Sequence, residues 1–379
     1  MRVLFLIDSL HGGGAETSVV EMLPAMRDRG IETSLVTILD DDNALTARVD
    51  AAGVNVRRLC SKTLPGRVLE FRRELKRQSP DVLHTSLTWS DLIGRLAAIG
   101  IAVPVVTTLV NSSYGAEHRR NSRFGAWSVR IIQALDFLVS RRTTVFHAIS
   151  EDVGVTMTRR LRLRPERVVV VHRGRDDHRL GRRSQRRRVA ARNAVGVPEF
   201  APLAIVVGRL DKQKAVDVAL AAVERTQSSA PELEVLVVGR DGNDAPHVRQ
   251  MATKVNNVQF LGHRTDVAEL MCAADCLVFP SRWEGLGGTL VEALALELPV
   301  VATDIGPIRE VMGDVAWPLV PIDDSARLSD ELSRVISADL PVAEISVRGR
   351  ARFEQSFTTE HAADGMVELY LRAIGGVDR

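Results

Sequence analysis

Residues 275–302, DCLVFPSRWEGLGGTLVEALALELPVVA, limit what this chain can fold into more than any other stretch. Residues 275–279 form a short, mostly apolar run closed by Pro280, which reads as a buried strand. Gly285, Gly287 and Gly288 follow and let a ligand approach the backbone with no Cβ in the way. Residues 289–296 are then a proline-free run of strong helix formers. A strand, a glycine-rich turn and a helix N-terminus in that order gather free N–H groups at the positive end of a helix dipole, so they suit an anion. Glu284 lies before the helix, and Glu292 lies in its second turn, ~6 Å along the axis from Gly288. Carboxylates repel phosphate but accept hydrogen bonds from hydroxyls. A ligand carrying hydroxyls, then phosphates, then hydroxyls fits this layout, as a nucleotide sugar does.

The same residues carry a resemblance. Glu284 and Glu292 stand in S-x-x-E-G-x-G-x-x-x-x-E-A-x-A-x-x-x-P-V-V-A, which resembles the signature of the retaining GT-B glycosyltransferases of family four (glycosyl transferases group 1). The resemblance implies an α/β chain of two Rossmann-like, doubly wound domains facing a cleft, with a C-terminal helix crossing back to the first. It implies transfer of a sugar from a nucleotide-diphosphate sugar to an acceptor with retention at the anomeric carbon. Glu292 would hold ribose hydroxyls and Glu284 sugar hydroxyls. The backbone of Gly285, Leu286, Gly287, Gly288 and Thr289 would meet the phosphates and sugar. Gly208-Arg-Leu-Asp-Lys-Gln-Lys214 matches the family's G-R-x-x-x-x-K, so Arg209 and Lys214 would clamp the diphosphate. Fixed cations there stabilise the charge that grows on the leaving group, the work a metal does elsewhere, so no metal or other cofactor is implied. The catalytic candidates are Arg209, Lys214 and Glu284. Glu284 is the one nucleophile available for a double displacement, and hydroxyl binding explains it equally well.

Three further donor-side residues follow from the resemblance. Gly13 and Gly14, in the turn His11-Gly-Gly-Gly14, would approach the donor phosphates, and His263, after Gly262, would lie at the base. The chain departs from the family twice. Val110 stands where many members carry a histidine beside the reacting sugar, and Ala215 stands where a glycine follows the lysine. Asn111 reads as a hydrogen-bond partner of the sugar or as a turn residue; with Tyr114 it is the acceptor-side candidate. A non-catalytic nucleotide-sugar binder stays open, as does an NAD-dependent oxidoreductase, although Thr17 stands where a dinucleotide fingerprint wants glycine or alanine. An esterase reading of H-G-G-G lacks a G-x-S-x-G elbow.

Taken in order, residues 3–7 read as a strand buried on both faces, followed by the glycine turn and a helix to Arg29, the opening of a doubly wound domain. Strands are expected at 33–39, 54–58, 82–84, 103–109, 143–149 and 168–171, then at 203–207, 234–239 and 258–261. With 379 residues, two domains are expected. These are 1–176 on the acceptor side, an arginine-rich linker at 177–197, the donor domain at 198–358, and a crossover helix at 359–379. Residues 173–192 hold nine arginines and few apolar residues, which motivates the linker. Aromatic residues do not interleave them, so no nucleic-acid partner is expected. The D-x-D at 40–42 reads as a solvated loop. A helix at 121–140 carries Phe124, Trp127, Ile131, Leu135 and Leu138 on one stripe, expected to face the core, with solvated arginines (119, 120, 123, 130, 141 and 142). The alternative is a face for an anionic membrane surface, where a glycan or lipid-linked acceptor would be met. Cys60, Cys272 and Cys276 form no zinc or redox pattern. The N-terminus turns acidic too soon for a signal peptide, and no apolar run reaches the ~20 residues of a membrane span. A cytoplasmic protein, or one peripheral on the inner membrane face, is expected.

Overall fold

The computed structural model describes residues 1–39, 45–115 and 125–376. The chain divides into two compact units, Met1–Asp176 with Phe357–Arg379, and Asp177–Ser356. In the first, strands and helices alternate: β1 (Arg2–Ile7), α1 (Gly14–Asp28), β2 (Glu32–Thr37), α2 (Thr46–Ala51), β3 (Asn55–Arg58), α3 (Leu64–Gln78), β4 (Val82–Ser86), α4 (Thr88–Ala97), β5 (Val105–Leu109), α5 (Gly125–Ser140), β6 (Val145–Ala148), α6 (Glu151–Leu161) and β7 (Val168–Val170). The strands form one parallel sheet in the order β3-β2-β1-β4-β5-β6-β7. The apolar run of β1 has its reason in this placement. Val3, Phe5 and Ile7 join a core with α1, and Leu4 and Leu6 join a second core with Phe71, Leu75 and Ile93 on the opposite face.

The second unit continues with α7 (Asp177–Leu180), α8 (Gln185–Val195), β8 (Leu203–Val207), α9 (Val216–Thr226), β9 (Glu234–Val238), α10 (Ala245–Ala252), β10 (Val258–Gly262), α11 (Val267–Ala273), β11 (Cys276–Phe279), α12 (Gly288–Ala295), β12 (Val300–Thr303), α13 (Gly306–Met312), β13 (Leu319–Val320), α14 (Ser325–Ile336) and α15 (Val342–Ser356). Its sheet is parallel too, in the order β10-β9-β8-β11-β12-β13. In both sheets the strand order reverses, between β1 and β4 and between β8 and β11. Loops leaving the carboxyl ends of those strands diverge to opposite faces and open a crevice there.

The last helix, α16 (Thr359–Gly375), belongs to the first unit: Ala363, Met366, Leu369 and Tyr370 pack in the core with Val3 and Phe5. The chain enters it through a short parallel bridge of Arg175 with Thr358. Arg175 N–H donates to Phe357 O at 2.8 Å, and Thr359 N–H to Arg175 O at 3.2 Å. Gly174 is needed beside it, because a Cβ there would lie 2.2 Å from Thr358 O.

Two expectations are corrected. Residues 177–197 are not a linker but carry α7 and α8, part of the second unit. Ser184 caps α8 by accepting from Arg187 N–H, and Gly196 ends it at φ +70°. Some of the arginines that suggested solvent are its packing groups, while Arg179, Arg182 and Arg186 stay exposed. Arg192 is fully buried; it donates to the carbonyls of Ala273, Pro198, Glu199 and Ala201 and, at 2.8 Å, to Asp275. Arg188 takes the other Asp275 oxygen at 2.7 Å. The second correction concerns α5, whose stripe of Trp127, Ile131, Leu135 and Leu138 is exposed rather than core-facing. Arg142 is conversely not solvated but donates to the carbonyls of Ala98, Ile101 and Val103. Phe124, the D-x-D at 40–42 and the arginines at 119, 120 and 123 lie outside the described residues.

Candidate functional site

In the second unit the loops after β8 and β11, flanking the reversal of strand order, bring most of the donor-side candidates together. The first loop begins at Gly208, where a Cβ would lie 2.9 Å from Lys214 Cγ. Glycine therefore leaves room for the lysine stem to fold back over the strand end. The loop closes at Ala215, whose φ of +51° is the left-handed conformation that the glycine at this place would adopt freely. Lys214 Nζ lies 2.5 Å from Glu284 Oε1 and 5.5 Å from the centroid of Phe279, the last residue of β11. Glu284 is buried, whereas Arg209 is exposed and pairs with Asp211 at 3.1 Å.

The two loops are fastened to each other by Arg282 and Gln213. Arg282 N–H donates to Gln213 O at 2.9 Å, and Gln213 Nε2 donates to Trp283 O at 2.9 Å. The Arg282 guanidinium reaches both Asp217 oxygens (3.2 and 2.7 Å), Asp323 at 2.6 Å and Lys212 O at 2.8 Å. Sequence reasoning passed over Arg282 and Asp217; their long-range pairing has no local signal.

Helix α12 starts from this loop. Its N-cap is Gly287 at φ +95°, and no side chain caps it, so its first turn presents backbone N–H groups toward the site. Glu292 stands half-buried one turn further in. Leu286 is buried, so its side chain packs inward beneath the loop. His263 directly follows β10, a strand separated from β8 by β9. It is exposed, its Nε2 lies 3.2 Å from Arg240 Nη2, and burial followed by that guanidinium lowers its pKa.

The remaining candidates are in the first unit. Gly13 is the N-cap of α1, at the carboxyl end of β1, and Gly14 is the first residue of the helix. A Cβ on Gly13 would fall 2.5 Å from Glu16 Oε2, while Gly14 has open space. Across the reversal, Asp8 accepts from Ser90 N–H at 2.8 Å and from Ser90 Oγ at 2.5 Å, and burial raises its pKa. Asn111 Oδ1 accepts from Ser112 N–H at 2.8 Å, which favours its turn reading. Tyr114 is buried at φ +67° and donates its hydroxyl to Asp136 at 2.8 Å, so it acts as a strut for the loop; Asp136 also pairs with the buried Arg95.

A buried histidine chain lies under this region. His147 Nε2 donates to Val171 O at 2.9 Å, so its Nδ1 accepts from Thr108 Oγ1 at 3.1 Å. Thr108 then accepts from His84 Nε2 at 2.7 Å, and His84 Nδ1 accepts from Tyr370 of α16 at 2.7 Å. Burial holds both imidazoles neutral: His84 falls well below the ordinary range and His147 to about 4.

Two parallel α/β units, with a cation, carboxylates and an uncapped helix start gathered at a strand reversal, are the architecture of a GT-B glycosyltransferase. The comparisons agree. The model for Glycosyl transferases group 1 matches residues 201–338, and that for Glycosyltransferase Family 4 matches residues 12–179. The chain belongs to this glycosyltransferase family. It is 28% identical to the D-inositol 3-phosphate glycosyltransferase of Geodermatophilus obscurus, over 95% of this chain and 85% of that protein. It is 29% identical to the 2-deoxystreptamine N-acetyl-D-glucosaminyltransferase of Streptomyces fradiae, over 84% of this chain and 81% of that one. Among solved structures, Anabaena Alr3699/HepE in complex with UDP-glucose superposes with a TM-score of 0.84 at 22% identity, over 97% of this chain and 98% of that one.

Proposed function

We propose that this glycosyltransferase moves a sugar from a nucleotide-diphosphate sugar, with retention and without a metal, to a lipid-linked or cell-surface glycan precursor on the cytoplasmic side of a membrane. The observation that carries the donor half is the Lys214–Glu284 pair, 2.5 Å apart beside the uncapped start of α12. Without donor, each charge neutralises the other. An arriving diphosphate draws the ammonium to itself, and Glu284 is then free to accept hydrogen bonds from sugar hydroxyls. As the glycosidic bond breaks, negative charge builds on the leaving diphosphate. Lys214, Arg209 and the α12 dipole stabilise it more in the transition state than in the ground state. Arg209 is exposed and held only by a surface pair worth little, so it can turn onto the phosphates. Glu292 takes the ribose hydroxyls. Retention is assigned to same-face attack assisted by the leaving phosphate, because in the donor complex Glu284 is engaged by sugar hydroxyls rather than aimed as a nucleophile. The complex of HepE with UDP-glucose supports a nucleotide-sugar donor.

A second acceptor reading, a phosphorylated cyclitol, is favoured by the likeness to D-inositol 3-phosphate glycosyltransferases. The test has two stages. Thermal shift with UDP, GDP, ADP and NAD is read on the wild type and on Glu292→Ala. Stabilisation of roughly 2.7 kcal/mol at a hundredfold excess over the dissociation constant is expected for one nucleoside diphosphate, weakened in the variant. A shift with NAD alone, or with no diphosphate, sinks the donor site. Donor turnover follows: tight nucleotide binding with neither hydrolysis nor transfer would make the protein a binder. Transfer to inositol phosphate in preference to lipid-linked acceptors would establish the second reading.

A further inference from the structure

Helix α5 turns a continuous apolar stripe to solvent. Trp127 is 75% exposed, Ile131 57%, Leu135 47% and Leu138 55%, with Ile132 beside them. Their spacing places them on one face. A single exposed leucine is ordinary, but five large apolar side chains together mark a contact surface. The helix spans Gly125–Ser140, about 24 Å along its axis.

The charges on and beside this stripe select the partner. The Arg130 guanidinium lies 5.8 Å from the Trp127 ring centroid, and that of Arg141 lies 5.4 Å from Phe137. The acid of the helix, Asp136, is turned inward onto Arg95 and Tyr114. The exposed stripe thus presents cations and no carboxylate of its own helix. Two copies packed through it would set arginine against arginine, with no outward carboxylate among the described residues of the helix to offset the repulsion. An anionic partner meets both needs, and a bilayer surface does so most completely. Aliphatic groups enter the acyl boundary, an indole sits at headgroup depth, and arginines reach lipid phosphates.

We propose that α5 is the face by which this protein lies on an anionic lipid bilayer. The inference deepens the lipid-linked acceptor reading, since it supplies the surface on which such an acceptor is met. Docking is measured without turnover, so the two readings fail separately. The experiment is co-sedimentation with vesicles of phosphatidylglycerol and phosphatidylcholine, against phosphatidylcholine alone, over rising salt. It uses the wild type, an Arg130→Glu/Arg141→Glu pair and an Ile131→Ser/Leu135→Ser pair, each first shown to melt like the wild type. Binding to the anionic vesicles only, weakened by salt and at least about tenfold weaker in both pairs, is expected. Failure to bind at low salt, equal binding to neutral vesicles, or indifference to both pairs overturns the proposal. A concentration-dependent dimer dissolved by the Ile131→Ser/Leu135→Ser pair would also overturn it, in favour of a second copy.

Discussion

Lys214 and Arg282 divide the work of the donor site between contact and position, and their variants should divide in the same way. Lys214→Ala removes the cation nearest Glu284. Its expected effect is a fall in kcat of about a hundredfold or more, read as single-turnover transfer at saturating donor. Arg282 touches no substrate in this reading; it ties Lys212 O, Asp217 and Asp323 to the Glu284 loop. Arg282→Lys keeps one charge but loses the fork that matches Asp217. A loss of roughly ten- to a hundredfold in kcat/KM is expected from the misplaced loop, with the melting temperature falling by no more than a few degrees. Equal kinetics in wild type and Arg282→Lys would remove the positioning role. Gly287 makes a backbone prediction. Its φ is +95°, yet a Cβ there would meet nothing nearer than 3.6 Å. Gly287→Ala should therefore cost about 1–2 kcal/mol in conformation alone, measurable by denaturant titration.

At the scale of elements, the docking of α16 on the first sheet depends on pH through His84 and His147. Both imidazoles have folded pKa values below the unfolded 6.5, His147 at about 4. The unfolded chain therefore binds more protons between these values, and stability rises with pH there. The His147 contribution is fully present above about pH 6.5 and is lost as pH falls toward about 4, roughly 3 kcal/mol in all. Chemical denaturation across that window checks it, and a flat profile would contradict the buried neutral pair. Eleven of the strands, the glycine turns and the E-x₇-E helix were legible in the sequence because each is a local pattern of apolar period and backbone freedom, whereas the short β12 and β13 were not among the expected strands. The histidine chain was not, because Tyr370 meets His84 from 286 residues away. Helix α8 was hidden for another reason. Hydropathy counts Arg192 as a surface residue, whereas here carbonyls and Asp275 satisfy its guanidinium inside the protein. The apolar stripe of α5 has helical period in either environment, so periodicity alone could not say which side it faced.

At the scale of the molecule, the units differ in how their cores are closed. Residues 177–356 form a continuous unit, whereas the first needs residues from both ends of its numbering. A fragment 177–356 should melt cooperatively and keep nucleoside diphosphate binding. A fragment 1–176 should stay molten until the peptide 357–379 is added, which circular dichroism and proteolysis would show; cooperative folding of 1–176 by itself would refute this. The bridge between Arg175 and Thr358 then acquires a consequence in time. On the ribosome the first sheet is made early, but Met366, Leu369 and Tyr370, which cover one side of it, emerge only after the whole second unit has been synthesised. At ordinary elongation speeds that interval is on the order of tens of seconds. Throughout it the nascent chain carries a bare apolar sheet face while the later half folds ahead of the earlier one. A trigger-type chaperone that holds such faces should matter more to this protein's yield in the cell than its final stability would suggest.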